Sequence, residues 1–246
     1  MPIVVVRADA PIPGNVLPRL VEGTPLTASD AADLYQSALR DVSEAVAGSG
    51  ADLLVTYRER ADRDEDVETL VKEAVTPALA SPDAVRFEPE VGSSPAARIG
   101  NTVTHLLESE GVASVAILDP TAVLAARPRL DQASMQLRRN DLVLGPAANG
   151  EFFYAGFSEP IDFGGIDGRP DLETLVERAN DADLAITTVE MAPTLRTPAQ
   201  LQSGLPILRT RRKAGDPVPV RTVARLEELG LRAVENENGD SRFEQA

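Results

Sequence analysis

The chain opens on an unbroken apolar run, Pro2 to Val6, closed by Arg7, the pattern of a strand buried on both faces of a parallel sheet. From Asp9 to Arg19 the pattern breaks: Pro11, Pro13, Gly14 and Pro18 restrict the backbone and predict a loop. Thr27 and Asp30 then match a capping box, and Ala31, Leu34, Tyr35, Leu39, Val42 and Val46 recur at helical spacing until Gly48 and Gly50. Ala51 to Tyr57 reads as a second strand, Asp66 to Ala80 as a helix, and Ala84 to Phe87 as a third strand. The intervening Arg58 to Glu68 mixes both charge signs and reads as a solvated loop running into a helix start.

Gly92 to Ala97 is a small-residue loop before a helix predicted over Arg98 to Gly111. Val112 to Leu118 is a fourth strand, ending at Asp119-Pro120. Short helices up to Arg139 precede a strand from Asp141 to Leu144, the turn Gly145-Pro146, and a strand from Glu151 to Phe157. The last third predicts a helix over Asp171 to Ala179, a strand over Leu184 to Val189, helices over Pro198 to Ser203 and Val220 to Leu229, and a polar, frayed end from Asn236 to Ala246. Strands alternating with helices at crossover spacing imply a three-layer α/β/α architecture with a mostly parallel, mixed sheet.

Composition narrows the chemistry. Of 246 residues, 39 are acidic and 24 basic, a formal net charge of −15 that would repel a phosphate backbone, so no nucleic-acid partner is expected. The absence of cysteine excludes thiol nucleophiles and cysteine-held metals, and one histidine, His105, excludes a multi-histidine centre. The opening apolar run is too short for a signal peptide and no stretch is long enough to span a membrane, so a soluble cytoplasmic protein without a membrane partner is expected. Lysine is confined to Lys72 and Lys213 on an acidic background, the composition of proteins from salt-loving archaea.

In an open α/β sheet, ligands bind beyond the carboxyl ends of the strands. The loop after the first strand places Gly14 among prolines between Arg7 and Arg19, a rigid turn able to offer amide N–H groups and two cations to a phosphate. At the start of the fourth helix, Arg98 either joins free N–H groups of Ser94, Ala96 and Ala97 around an anion, or covers the sheet edge and pairs with an acidic neighbour. His105 is either a general base or a solvated helix residue. The Arg209 to Lys213 cluster either receives an anion or pairs with local carboxylates.

Several segments resemble the MobA-like transferases of the radical-SAM/selenodomain-associated glycosyltransferase type. Arg7 to Leu20, with Pro11, Pro13, Gly14 and Arg19, is similar to their opening K-x-P-x-P-G-x-V-K-T-R-L, and Ala31 to Tyr35 to their A-x-L-Y helix. Gly92 to Arg98 is similar to G-x-x-L-G-x-R, and Leu144 to Phe157 to L-G-P-A-x-D-G-G-Y-Y-L-I-G-L. The resemblance spans about Val4 to Leu201. It implies a nucleotide-diphospho-sugar transferase fold of the GT-A type over residues 1–215, followed by a helical extension and polar tail over 216–246. It also implies a nucleotide or nucleotide-sugar ligand, glycosyl- or nucleotidyl-transfer chemistry, and a divalent cation, Mg or Mn, held by aspartates. Guanylyltransferases acting on phospholactate share that fold.

On this resemblance the nucleotide and phosphate contacts fall to Arg7, Pro13, Gly14, Arg19, Arg98 and Asn149, and the metal to Asp119, with Glu151 as a second catalytic carboxylate. The departures are as specific as the matches. Leu17 and Pro18 stand where the family has lysine and threonine, and Asn149 and Glu151 stand where it has aspartate and glycine. Thr194 or Arg196 stands where an acidic metal ligand belongs, so Arg196 would oppose a cation and could meet phosphate charge itself. The chain is therefore expected to be either a transferase with a reduced metal site, or a non-catalytic relative that keeps an anion pocket for binding or assembly.

Overall fold

The computed structural model describes residues 2–59, 66–166, 171–235 and 241–245. β1 (Pro2–Ala8) pairs in parallel with β2 (Asp52–Tyr57) on one side and β4 (Ser114–Leu118) on the other, and β3 (Arg86–Pro89) extends the sheet beyond β2. Next to β4 lies β6 (Phe152–Phe157), antiparallel both to it and to β5 (Leu142–Pro146); β7 (Ile186–Thr188) closes the edge in parallel with β5. The resulting order, β3-β2-β1-β4-β6-β5-β7, is the mixed, mostly parallel sheet that the alternating pattern predicts.

The side-chain period of two along β1 divides the interior into halves. Val4, Val6 and Ala8 face one core with α2 (Ala28–Ala47), α3 (Val67–Val75) and α5 (Arg127–Gln136), whereas Ile3 and Val5 face another with α4 (Pro95–Thr104) and α6 (Asp171–Asp181). Helices thus cover both faces, which explains the unbroken apolar reading of β1. The larger core also takes Leu20 of α1 (Pro18–Glu22), Leu201, Leu205 and Leu208 of α7 (Pro198–Ala214), and Val223 and Leu226 of α8 (Val220–Glu228).

Several boundaries differ from the sequence expectation. Arg19 belongs to α1, because Pro18 occupies the first helical turn, where its missing N–H costs nothing. α3 stops at Val75 and tightens into a single 3₁₀ turn over Thr76–Ala78 around Pro77. α4 starts at Pro95 rather than Arg98, with the Ser94 hydroxyl accepting from the Ala97 N–H at 3.1 Å. α7 continues past Ser203 and through Pro206 to Ala214, since its leucine stripe is buried on both sides of that proline. The strand expected over 84–87 lies two residues further on.

The C-terminal end is ordered by pairing. β8 (Leu231–Glu235) and β9 (Ser241–Gln245) form an antiparallel ribbon, so residues 241–245 do not fray; Leu231 and Phe243 anchor the ribbon in the larger core. Residues 236–240 and 246 of the expected tail, and 60–65 of the expected mixed-charge loop, lie outside the described residues. No helix among the described residues is long and apolar enough to cross a membrane.

α8 has no side-chain cap of its own, its N-cap position being Pro219. The buried Asp41 on α2 caps it from outside: one carboxylate oxygen accepts from the Thr222 N–H at 2.7 Å and the Thr222 hydroxyl at 2.8 Å, the other from the Arg221 N–H at 3.3 Å and guanidinium at 3.1 Å. The capping-box residue Asp30 pairs with Arg225 at 3.0 Å on the same interface. The Thr27 side chain and, more weakly, its backbone and Arg225 hold the Asp30 carboxyl below its usual range, against the opposing effect of burial. Asp41→Ala strips the α8 terminus of these acceptors and is expected to lower the unfolding free energy by about 2–3 kcal/mol. Asp33→Ala, on an exposed contact to Arg225, is expected to cost less than ~1 kcal/mol; urea unfolding followed by circular dichroism compares the two.

Candidate functional site

The chain from β1 runs to β2 on one side, while β4 returns on the other side of β1, so the crossovers diverge at the carboxyl end of β1. A cleft of about 450 Å³ opens there. Arg7 comes to it from β1, Arg58 from the end of β2, Glu90 from the end of β3 and Asp119 from the end of β4. Arg19 of α1, Glu151 just ahead of β6, and Arg196 complete the charged wall. In all, five arginines and five carboxylates line it, so the cleft is formally neutral in a chain of net charge −15.

The charges are interleaved. Glu90 receives Arg7 through Nε at 2.6 Å on Oε1 and Nη2 at 3.1 Å on Oε2, and Arg98 Nε lies 2.9 Å from that same Oε2. The Glu90 side chain is 6% exposed and that of Arg98 10%. Two cations on one carboxylate leave the trio with one net positive charge. Of the two alternatives for Arg98, the structure shows the acidic neighbour. The helix N–H of Ala97 is already taken by Ser94, and the Arg98 N–H bonds to the Ser94 carbonyl at 3.0 Å. Gly92 makes this contact possible: its φ is +143°, and a Cβ there would stand 2.7 Å from the Arg98 backbone nitrogen.

Across the cleft, one oxygen of Asp119 accepts from the Thr121 N–H at 2.7 Å and the Thr121 hydroxyl at 2.5 Å, and the other from Arg196 Nη1 at 3.0 Å. The Asp119 charge is the main influence holding the Arg196 guanidinium above its ordinary pKa, with Glu151 adding to it and burial opposing. Glu151 is turned into the cleft, which settles its orientation. It lies 3.6 Å from Arg19 Nη1 and accepts from Gln200 Nε2 at 3.1 Å, while the Gln200 carbonyl accepts from the Thr194 hydroxyl at 2.8 Å. Tyr35 on α2 braces the floor, its hydroxyl accepting from the Asp9 N–H at 2.9 Å. Burial, and then the charge of Asp9, push that phenol well above its usual range.

Thus Arg7, Arg19, Arg98, Asp119 and Glu151 meet in one cleft, as does Arg196, whereas Thr194 is buried behind the lining, against Gln200. Pro13, Gly14 and Asn149 are exposed and lie outside the lining. Asn149 holds a left-handed turn at φ 62°, a conformation asparagine tolerates, which gives its place in the hairpin a local reason. His105 is exposed beside Glu110, away from the cleft. In the basic cluster on α7, Arg212 pairs with Glu227, and Arg209 donates to the Leu231 carbonyl at 2.6 Å.

A divalent cation does not fit this donor set as arranged. Both oxygens of Asp119 are engaged by donors, one of them cationic, and Glu151 is shared between Arg19 and Gln200. Among the described residues, no group of three or more aspartate, glutamate or histidine side chains is arranged as ligands.

No protein-family model and no curated protein matches the sequence. Solved structures do match the fold. A Desulfovibrio desulfuricans G20 protein described as a nucleotide-diphospho-sugar transferase superposes with a TM-score of 0.71 at 20% identity, covering 92% of this chain and 94% of that one. A homologue of Mycobacterium tuberculosis Rv0371c from Mycobacterium sp. strain JC1 gives 0.50 at 14% identity, over 84% of this chain and 96% of that one. The chain therefore has the nucleotide-diphospho-sugar transferase fold expected from its sequence.

Arg58, Glu90, Gln200 and Thr121 are among the site residues that the sequence did not single out, Arg58 having been read as part of a solvated loop. Glu90 follows β3 directly, at the strand-end position that Asp119 takes after β4, but the sequence expectation ended that strand at Phe87 and so left Glu90 out. Glu90→Ala leaves the buried Arg98 without a counter-charge and is expected to reduce the unfolding free energy by about 3 kcal/mol. Glu88→Ala, on a part-exposed pair with Arg86, is expected to change it by less than ~1 kcal/mol. Urea unfolding at neutral pH measures both.

Proposed function

We propose that this chain is a nucleotide-binding protein of the transferase class, and that it holds a nucleotide or nucleotide sugar by its phosphates in the cleft at the switch point of the sheet. The observation that carries this reading is the convergence of Arg7, Arg19, Arg98 and Arg196 on one cleft in an otherwise strongly acidic chain. Arg19 supports it most directly. Its side chain is 41% exposed and its partner Glu151 is 3.6 Å away, so it can turn to a phosphate at little cost. The trio of Arg7, Glu90 and Arg98 adds a net positive charge across the same cleft, held rigid before any ligand arrives.

Binding, rather than turnover, is the reading favoured by the two carboxylates. Asp119 uses both oxygens on donors within the protein, one of them a guanidinium, and Glu151 accepts from Gln200 through one oxygen beside Arg19, a setting that holds both as charged acceptors and not as proton-transfer groups. A formally neutral cleft that holds one net positive trio suits a phosphorylated small molecule and not a nucleic acid, which would meet the acidic surface around it.

Thermal denaturation of the full chain with GTP, CTP and UDP-glucose tests the reading. At a concentration near 100 Kd, a ligand of the folded state adds ~2.7 kcal/mol, a rise in Tm of roughly 5–10 °C for a chain of this size. The expected result is such a rise with at least one of the three and its loss in Arg19→Ala. A Tm unmoved by all three, or an equal rise in the variant, overturns it. Release of nucleoside diphosphate or pyrophosphate on adding candidate acceptors would replace the binding role with catalysis.

A further inference from the structure

We propose that the Arg196 guanidinium serves in this cleft as a built-in substitute for a divalent cation, so that the phosphates of the ligand bind without metal. The inference rests on the nucleotide-binding reading and adds the charge chemistry by which that site works.

Three observations carry it. First, Arg196 Nη1 occupies one oxygen of Asp119 at 3.0 Å, while Thr121 fills the other through its N–H and hydroxyl. A metal ion would have to displace the arginine and then share the pocket with its charge. Second, the backbone on the Arg196 side is stapled to the same loop: the Leu195 N–H reaches the Thr121 hydroxyl at 3.4 Å, and the buried Thr194 hydroxyl donates to the buried Gln200 at 2.8 Å. The guanidinium is therefore placed by its backbone as well as by Asp119. Third, the Arg196 side chain remains 54% exposed although Asp119 is 7% exposed, so the cation is held at its inner edge and open toward the cleft. Nη1 is spent on Asp119, and a guanidinium has further N–H donors in a planar fork that matches phosphate oxygens.

The test has two arms on the full chain. In the first, Mn²⁺ alone is titrated and followed by electron paramagnetic resonance, with no phosphate ligand present. Wild type is expected to leave Mn²⁺ free through the millimolar range, and Arg196→Ala, which uncovers Asp119, to bind it. Mn²⁺ binding by wild type but not by the variant overturns the proposal. In the second arm, pyrophosphate binding is measured by calorimetry in EDTA. Wild type is expected to bind, Arg196→Ala to bind at least about tenfold more weakly, and Arg196→Lys to recover most of the affinity. Binding by wild type that requires Mn²⁺, or equal affinity in Arg196→Ala, overturns the proposal. Failure of wild type to bind pyrophosphate or any nucleotide, with or without Mn²⁺, overturns the nucleotide-binding reading itself, while the metal titration still judges Arg196.

Discussion

Five guanidinium groups can line one cleft only if something negative stands between them. Two like charges about 4 Å apart repel by ~4 kcal/mol at the effective dielectric of a protein surface, so an uncompensated cluster would open the fold. Here the compensation comes from strand ends and loops: Glu90 between Arg7 and Arg98, Asp119 against Arg196, Glu151 near Arg19. The arrangement fixes which cations are stiff and which can move. Arg98 is buried in its pair, whereas Arg19 and Arg196 keep about half of their side-chain surface in water. A ligand entering the cleft thus meets a rigid inner wall and an adjustable outer one.

That division follows from the sheet. β1 is buried on both faces, its end cannot shift without disturbing both cores, and Arg7 inherits that rigidity. Glu90 is fixed just as firmly, since its own N–H bonds to the Tyr57 carbonyl at 2.8 Å and so continues the β2–β3 ladder by one residue. Arg19, by contrast, sits on a five-residue helix. Such segments carry adaptable side chains on a scaffold that does not move.

How much of this could be seen in the sequence depends on the range of the interaction that fixes each part. β1, the capping box of α2 and the alternation of strands and helices are local or periodic, and all of them stood in the pattern of residues. The convergence of Arg7, Arg19, Arg98, Asp119 and Glu151 followed from the rule that ligands lie beyond strand ends, together with the resemblance of the opening loop. What was hidden is partner choice. The Glu90 contact to Arg7 spans 83 positions, and nothing local marks one glutamate among many in an acidic chain as the one that is buried. Local punctuation also misled where tertiary burial overruled it. The helix expected to stop at Ser203 continues through Pro206 to Ala214, and the polar composition after residue 235 concealed the pairing that β8 makes with β9.

The cap that Asp41 supplies to α8 links positions 181 residues apart in a chain of 246. During synthesis α2 emerges early and must wait for its last partner. Until the C-terminal segment leaves the ribosome, Asp41 faces water and the apolar surface that later receives Val223 and Leu226 stays uncovered. A chain cut short ahead of Val220 would therefore leave that helix face uncovered and the Asp41 carboxylate without the donors of α8.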